Sequence, residues 1–357
     1  MAYSLDLLTL LVVEDNELER TLVCNMLKAM GVGRTLTADN GADAAERLKL
    51  VKNSPLRAGA SRVDVVLTDV LMPRMGGLDL LRWIRNSENS PNPFLPVMMV
   101  SADTDRVSVT AARDAGANEF VAKPVTVAGL AQRMLMLIDR PRDFVYCRNY
   151  FGPDRRRSDA DGVDDERRTN SDDDVRVVHS DDALKSVDPG GVQVLHFRLP
   201  NELRNRVGGR PGRIGELSAE RLKKAGDVLT AETDEFLAFV LRQVATVTSA
   251  CKKYEAEPDK AAEQIKTISG IARDLATQGT GFNYPLLSLA SRSLYEHIRS
   301  QTEIGPAHML LVKAHTDFIV KVVEERVTGN GGASRRELLV TLKRARQLYE
   351  QRPAEAA

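Results

Sequence analysis

The sequence predicts an α/β protein: a doubly wound, five-stranded parallel sheet within residues 1–141, followed by a charged linker and an all-α helical bundle. Three observations carry this expectation. Short apolar runs alternate with stretches of helical period through residues 1–141, the pattern of a parallel sheet covered on both faces. Residues 152–190 contain no Phe, Tyr or Trp and hold twelve acidic against seven basic residues, so they cannot bury enough apolar surface to offset chain entropy. From Leu217 onward every segment has a helical period.

The elements follow in order. Thr9–Val13 (TLLVV) is an apolar run of the buried-strand type. In Glu17–Met30, Leu18, Leu22, Met26 and Met30 recur about one turn apart, Val23 and Leu27 widen the stripe, and Gly31 ends the helix. Arg34–Ala38 is the second strand, and the Asp39-Asn40-Gly41 turn introduces a helix over Ala42–Val51. Lys52–Arg62, with its Pro, Gly and Ser, reads as a loop. Val63–Thr68 is the third strand, and a loop punctuated by Met72-Pro73 and Gly76-Gly77 leads to the helix Leu78–Asn86. Pro96–Val100, Thr104–Ala115, Glu119–Ala122 and Thr126–Ile138 supply the fourth and fifth strand–helix pairs. The fifth helix carries Met134–Ile138, an unbroken apolar run that cannot all face one core. Either the aromatic tail from Phe144 to Phe151 covers it, or it forms a homodimer or partner face.

Residues 142–190 are expected to be a tail and a disordered charged linker, and 191–216 an extended arm broken by Pro200, Gly208-Gly209 and Pro211. Candidate helices over Ser218–Tyr254, Asp259–Gln278, Tyr284–Glu303, Ala307–Val327 and Ser334–Gln351 fill 217–357. Short separators such as Gly305-Pro306 favour antiparallel neighbours in a bundle. Lys+Arg (50) balances Asp+Glu (50), so bulk charge gives no reason for nucleic acid or an anionic membrane to be the main partner. Cys24, Cys147 and Cys251 form no C-x-x-C pair and no disulfide framework, which fits a reducing compartment. No apolar run reaches the roughly 18 residues of a membrane span. Asp6 and Glu14-Asp15 interrupt the stretch where a leader needs an apolar core. The expected location is the cytoplasm.

Ligands of parallel sheets bind beyond the C-terminal strand ends. The first strand ends in Glu14-Asp15, the third in Asp69, the fourth in Ser101 and the fifth in Lys123-Pro124. These loops share one rim, so carboxylates, a hydroxyl and an ammonium converge there. Carboxylates with a carbonyl and waters suit the oxygen shell of Mg²⁺, and such a metal spreads the charge of transferring phosphoryl oxygens. An aspartate can act as nucleophile and form an acyl phosphate. A lysine and a hydroxyl can hold the remaining oxygens.

These residues match a known family. LLVVEDN (Leu10–Asn16), VVLTDVLMPRMGG (Val65–Gly77), VSA (Val100–Ala102) and FVAKP (Phe120–Pro124) resemble, in order and spacing, the receiver domain of two-component response regulators. Only the loop before the third strand is somewhat long. The resemblance covers about residues 5–141 and implies the flavodoxin-like receiver fold. It implies that Asp69 is the phospho-acceptor and that Asp15 binds Mg²⁺ directly, with Glu14 acting mainly through water. Asp69 and the main-chain carbonyl of Leu71 would complete the protein ligands. Ser101 would hydrogen-bond a phosphoryl oxygen. Lys123 would pair with Asp69 before phosphorylation and with the phosphoryl group after it, and Phe120 holds the family's aromatic switch position. The implied cofactor is Mg²⁺, and the implied partner is a histidine kinase or a histidine phosphotransfer protein. The implied function is a response regulator in a phosphorelay, which switches a protein–protein interaction and is not an enzyme in the usual sense.

Lys266–Ile298 loosely resembles histidine phosphotransfer domains but departs from them where it matters. The phosphorylated histidine should stand four residues before a helical glycine, and Lys266 stands there before Gly270. His297, near a helix end where a cation suits the dipole, and His315, between Lys313 and Asp317 on an expected surface stripe, are the histidines well inside helices. The bundle is therefore expected to dock partners or to dimerise, with Gly270 allowing close helix packing. Two alternatives stand beside this reading: a relay or phosphate sink in which the bundle also takes phosphate, and a DNA-binding regulator. No helix-turn-helix pattern stands out, and Glu337 and Glu350 dilute the basic stripe of Arg335-Arg336, Lys343-Arg344 and Arg346.

Overall fold

The computed structural model describes residues 2–60, 62–102, 106–155, 175–178, 194–300, 305–329 and 340. Contacts divide the chain into two units, Met1–Leu229 and Thr230–Ala357.

In the first unit a short strand, Ala2–Tyr3 (β1), precedes Thr9–Val13 (β2), Glu17–Ala29 (α1), Arg34–Ala38 (β3) and Gly41–Asn53 (α2). A single helical turn, Pro55–Ala58 (α3), lies where the sequence suggested only a loop; Pro55 at its first position and Gly59 in the left-handed conformation at its end bound it. Val65–Asp69 (β4), Gly77–Asn86 (α4), Val97–Ser101 (β5), Arg106–Asp114 (α5), Glu119–Ala122 (β6) and Val127–Asp139 (α6) complete the alternation. The five strands β2 to β6 are parallel, in the order β3-β2-β4-β5-β6. Every residue of β4 and β5 is buried, as strands covered on both faces require. Leu11, Val13, Val66, Leu80, Ile84 and Met99 form part of one core on one side of the sheet.

Side-chain caps fix where the helices begin. Asn16 accepts from the N–H groups of Leu18 and Glu19, Asn40 from those of Ala42 and Asp43, and Thr126 from that of Gly129. The strand order reverses between β2 and β4, so their neighbouring C-terminal ends leave a crevice. Glu14 follows one of these strands and Asp69 ends the other.

The segment after α6 departs from the expected tail and linker. Phe144–Cys147 (β7) and Tyr150–Pro153 (β8) form an antiparallel hairpin. Val194–Phe197 (β10) pairs antiparallel with β7 and parallel with Val175–Val178 (β9), which gives a second sheet of order β8-β7-β10-β9. Phe94, Phe144, Phe151 and Phe197 form its aromatic core, with Phe94–Phe144 ring centroids 5.1 Å apart. Composition missed this sheet because each strand is four residues long and the pairing of β7 with β10 is far from local in sequence. Most of the expected linker, 156–174 and 179–193, lies outside the described residues.

The expected arm is partly structured as well. Glu202–Arg206 (α7) follows, and Glu216–Leu217 (β11) pairs in parallel with β1. Asn201 Nδ2 donates to the Ile138 carbonyl at 2.7 Å, and Arg204 Nη2 to the Asp139 carbonyl at 2.6 Å. Both bonds cap the end of α6. In the apolar run Met134–Ile138, Met134, Leu137 and Ile138 are buried and Leu135 and Met136 half-buried. α7 and β11 pack against this helix, so the arm covers part of it.

The helix Ala219–Ala256 (α8) supplies the second unit from Thr230 onward, joined by Ala261–Gln278 (α9), Pro285–Ser300 (α10) and Pro306–Glu324 (α11). Val247, Ile268, Ala272, Leu294 and Val312 share a core, and Phe236 stacks on Phe282 at 4.2 Å. One expectation fails here. His315 is buried, not on a surface stripe; its ring nitrogens lie 2.8 Å from the Leu311 carbonyl and 3.1 Å from Ser293 Oγ. Its charged neighbours Lys313 and Asp317 sit on other faces of the same helix, because adjacent helical positions diverge. Among the described residues, a Cβ added at Gly270 would meet nothing within 4 Å. The expected last helix, Ser334–Gln351, and the basic stripe lie outside the described residues apart from Val340. No described helix is long and apolar enough to cross a membrane.

Candidate functional site

β2 delivers Glu14 and Asp15 to the crevice. Glu14 is buried and Asp15 exposed. The Glu14 main chain is pinned from both sides: its N–H donates to the Ala38 carbonyl at 3.1 Å, and its carbonyl accepts from Arg20 Nη1 at 2.6 Å. Arg20 also reaches Asp39 at 3.0 Å, tying the loop after β2 to the loop after β3.

Asp69 ends β4, with Oδ1 accepting from the Leu71 N–H at 3.2 Å. The loop beyond it must turn back tightly under that carboxylate. Gly77 N–H donates to the Val70 carbonyl at 3.0 Å, and a Cβ on Gly77 would lie 1.9 Å from the Asp69 carbonyl oxygen. Glycine at 77 is thus what lets α4 start directly beneath the acid. Gly77→Ala is expected to cost roughly 2–4 kcal/mol. The check is urea unfolding followed by Trp83, the only tryptophan of the chain, which stands in α4.

Lys123 follows β6, and its main-chain N–H donates to the Ser101 carbonyl at 2.8 Å. Its ammonium is the centre of the site. Nζ lies 2.6 Å from Asp69 Oδ2, 2.7 Å from Glu19 Oε2 and 2.8 Å from Glu14 Oε2. An ammonium has three N–H donors, and each has a carboxylate. Ser101 is buried at the end of β5, one position beyond Val100, the register partner of Asp69. Phe120 is half-buried on β6 and packs against the sheet core. Leu71 projects into solvent with 76% of its surface exposed.

The strand-end residues expected from sequence therefore gather at one rim. Glu19 was not foreseen. It is buried in the first turn of α1, on the face shared by Leu22, Val23 and Met26. An acid inside an apolar stripe at helical spacing was the available signal.

Glu14, Asp15 and Asp69 each offer an oxygen, all within 4.8 Å of one another. Three carboxylate oxygens so close repel unless a cation lies among them, and an all-oxygen donor set is the kind a hard divalent cation takes. A groove lined by Asp15, Leu71, Met72 and Arg74 opens alongside.

The electrostatics follow from three acids facing one ammonium. Burial pushes the Glu14 carboxyl up to about 8, with Asp69 and Glu19 adding to the push that Lys123 opposes. Burial alone would lower the Lys123 ammonium, but Glu19, Glu14 and Asp69 outweigh it and hold it above its ordinary value. Glu14 therefore keeps a proton in the folded, metal-free protein that the unfolded chain loses near 4.5. The folded state binds more protons in that window, so metal-free stability falls as pH rises from about 5 through about 8. The Trp83 urea midpoint in chelator is expected to show this decline, and saturating Mg²⁺ to flatten it.

Comparison with known proteins places the first part of the chain in a family. Residues 10–135 match the model of the response regulator receiver domain. Chemotaxis protein CheY-3 of Vibrio cholerae is 34% identical over 131 residues, which cover 37% of this chain and 92% of that protein. Chemotaxis protein CheY of Pseudomonas aeruginosa is 33% identical over 131 residues, 37% of this chain and 96% of that protein. A crystal structure of a response regulator receiver protein from Pseudomonas putida shares 32% identity, covering 35% of this chain and 93% of that one, with a TM-score of 0.29. The chain belongs to the response regulator receiver family. Receiver domains are signalling switches of two-component systems, not enzymes in the usual sense.

Proposed function

We propose that this chain is a response regulator that accepts a phosphoryl group on Asp69 in an Mg²⁺-dependent reaction and thereby switches a protein–protein interaction. The observation that carries the reading is the 2.6 Å contact of Lys123 Nζ with Asp69 Oδ2, beside the oxygens of Glu14 and Asp15. Asp15, Glu14, Asp69 and the Leu71 carbonyl would hold the cation, whose chemistry is to neutralise charge on the transferring oxygens.

This chain's residues do the rest. A carboxylate oxygen of Asp69 attacks phosphorus as the bond to the donor's leaving group breaks. For a phosphohistidine donor that bond is P–N, and the leaving imidazole takes up a proton. Lys123 trades a carboxylate for a phosphoryl oxygen, and the Ser101 hydroxyl donates to another. The added charge, about −1.5 to −2 with three acceptor oxygens, draws Ser101 and Lys123 inward. Phe120 then turns into the space released, and the surface of α5, β6 and α6 changes shape. This is a population shift between two packings of one fold.

The phosphoryl donor is a histidine kinase or a histidine phosphotransfer protein, and the C-terminal region, which includes α8 to α11, acts as a docking or dimerisation element. Burial and two hydrogen-bonding neighbours make His315 a poor phosphate carrier. The test is incubation with acetyl phosphate. A labile phosphoryl adduct that requires Mg²⁺ and disappears with chelator is expected. An unmodified protein under conditions that phosphorylate a control receiver would overturn the proposal.

A further inference from the structure

Of the three carboxylates on Lys123, only Glu19 lies outside the group of Glu14, Asp15 and Asp69 whose oxygens gather within 4.8 Å. It comes from α1 and occupies a position of that helix's buried stripe that an aliphatic side chain fills without desolvating a charge. Its carboxylate is nevertheless buried and sits 2.7 Å from Nζ. Its surroundings register the neighbouring acids: burial raises its pKa, Lys123 opposes this, and Asp69 and Asp15 add to the rise.

We propose that Glu19 is a positioning residue that sets the charge balance of the pocket, favouring the divalent cation and opposing anionic charge added to Asp69. This rests on the reading of Asp69 as the phosphoryl acceptor. Two consequences of its placement support it. First, Glu19 occupies one N–H of Lys123 from outside the group of oxygens that would hold the cation. The ammonium is thereby anchored toward α1 while it trades the Asp69 carboxylate for a phosphoryl oxygen. Second, Glu19 adds a negative charge beside a site that must bind a dication and then gain negative charge. Coulomb attraction strengthens the first event and repulsion weakens the second, in an environment less screened than water.

The opposite signs make the idea testable. Glu19→Gln keeps size and an acceptor for Lys123 while removing the charge. By calorimetry without phosphodonor, it is expected to weaken Mg²⁺ binding about tenfold. At saturating Mg²⁺, fluorine NMR is expected to show beryllofluoride, a phosphoryl mimic, binding about three- to tenfold more tightly. Glu19→Met, which fits the apolar stripe, should move both affinities in the same two directions. A merely structural defect would weaken both ligands together. Both affinities falling, both rising, or neither changing would overturn the inference. Failure of the unmodified protein to bind either ligand would instead sink the acceptor reading, and this inference with it.

Discussion

Asp69→Asn is expected to lose acetyl-phosphate-driven phosphorylation by at least about a hundredfold. The amide nitrogen and oxygen carry no charge to form the acyl phosphate, and the other acids are poorly placed to substitute. Glu14 and Glu19 are buried against Lys123, and Asp15 stands exposed at the rim. The variant should fold, because Lys123 keeps two carboxylates and the crowding of acids is relieved. Measured with labelled donor at saturating Mg²⁺, the adduct should vanish while the Trp83 urea midpoint stays level or rises. Undiminished labelling would show that another residue is the acceptor.

Arg85→Ala is expected to give the largest loss of stability, roughly 3–5 kcal/mol. Arg85 is buried in α4 and, among the described residues, donates to neutral acceptors: the carbonyls of Gly116 at 3.0 Å, Pro93 at 2.7 Å and Leu95 at 2.8 Å, and Asn118 Oδ1 at 2.8 Å. Its guanidinium also lies 5.1 Å from the Phe144 ring, where α4 meets the second sheet. Burial pulls its pKa down to about 9. Truncation leaves the three carbonyls without this donor and opens a cavity in a packed region. Arg85→Lys should recover little of the loss, since a point charge cannot span four acceptors arranged for a planar fork. Urea unfolding followed by Trp83, two residues away in the same helix, is the direct reading. A loss below about 1 kcal/mol would mean that water or a local shift replaces the arginine.

The sheet was legible because buried parallel strands are short apolar runs, and each ended on a residue with chemistry of its own. Val65–Asp69 and Val97–Ser101 emerge within two residues of the expected spans at each end. The same logic located Glu14, Asp15, Asp69, Ser101 and Lys123, since strand ends of a parallel sheet share one rim whatever the helices do. Glu19 and Arg85 escaped because a charged residue inside an apolar helical stripe looks like an interruption of the stripe. Only the three-dimensional partners, Lys123 for one and a ring of carbonyls for the other, show that burial is satisfied. The second sheet escaped for a different reason. Its strands pair across a long charged segment, and windowed composition carries no information about such distant pairing. His315 misled because its sequence neighbours are charged, whereas helical neighbours three and four positions away decide burial.

Peptide mapping of the adduct formed with acetyl phosphate and Mg²⁺, after the labile acyl phosphate is trapped by reduction, tests the phosphoryl-acceptor site most directly. The expected result is a single modified residue, Asp69, absent when chelator replaces the metal. Modification at His297, His315 or any residue away from the rim that Asp69 shares with Lys123, with Asp69 untouched, would contradict it.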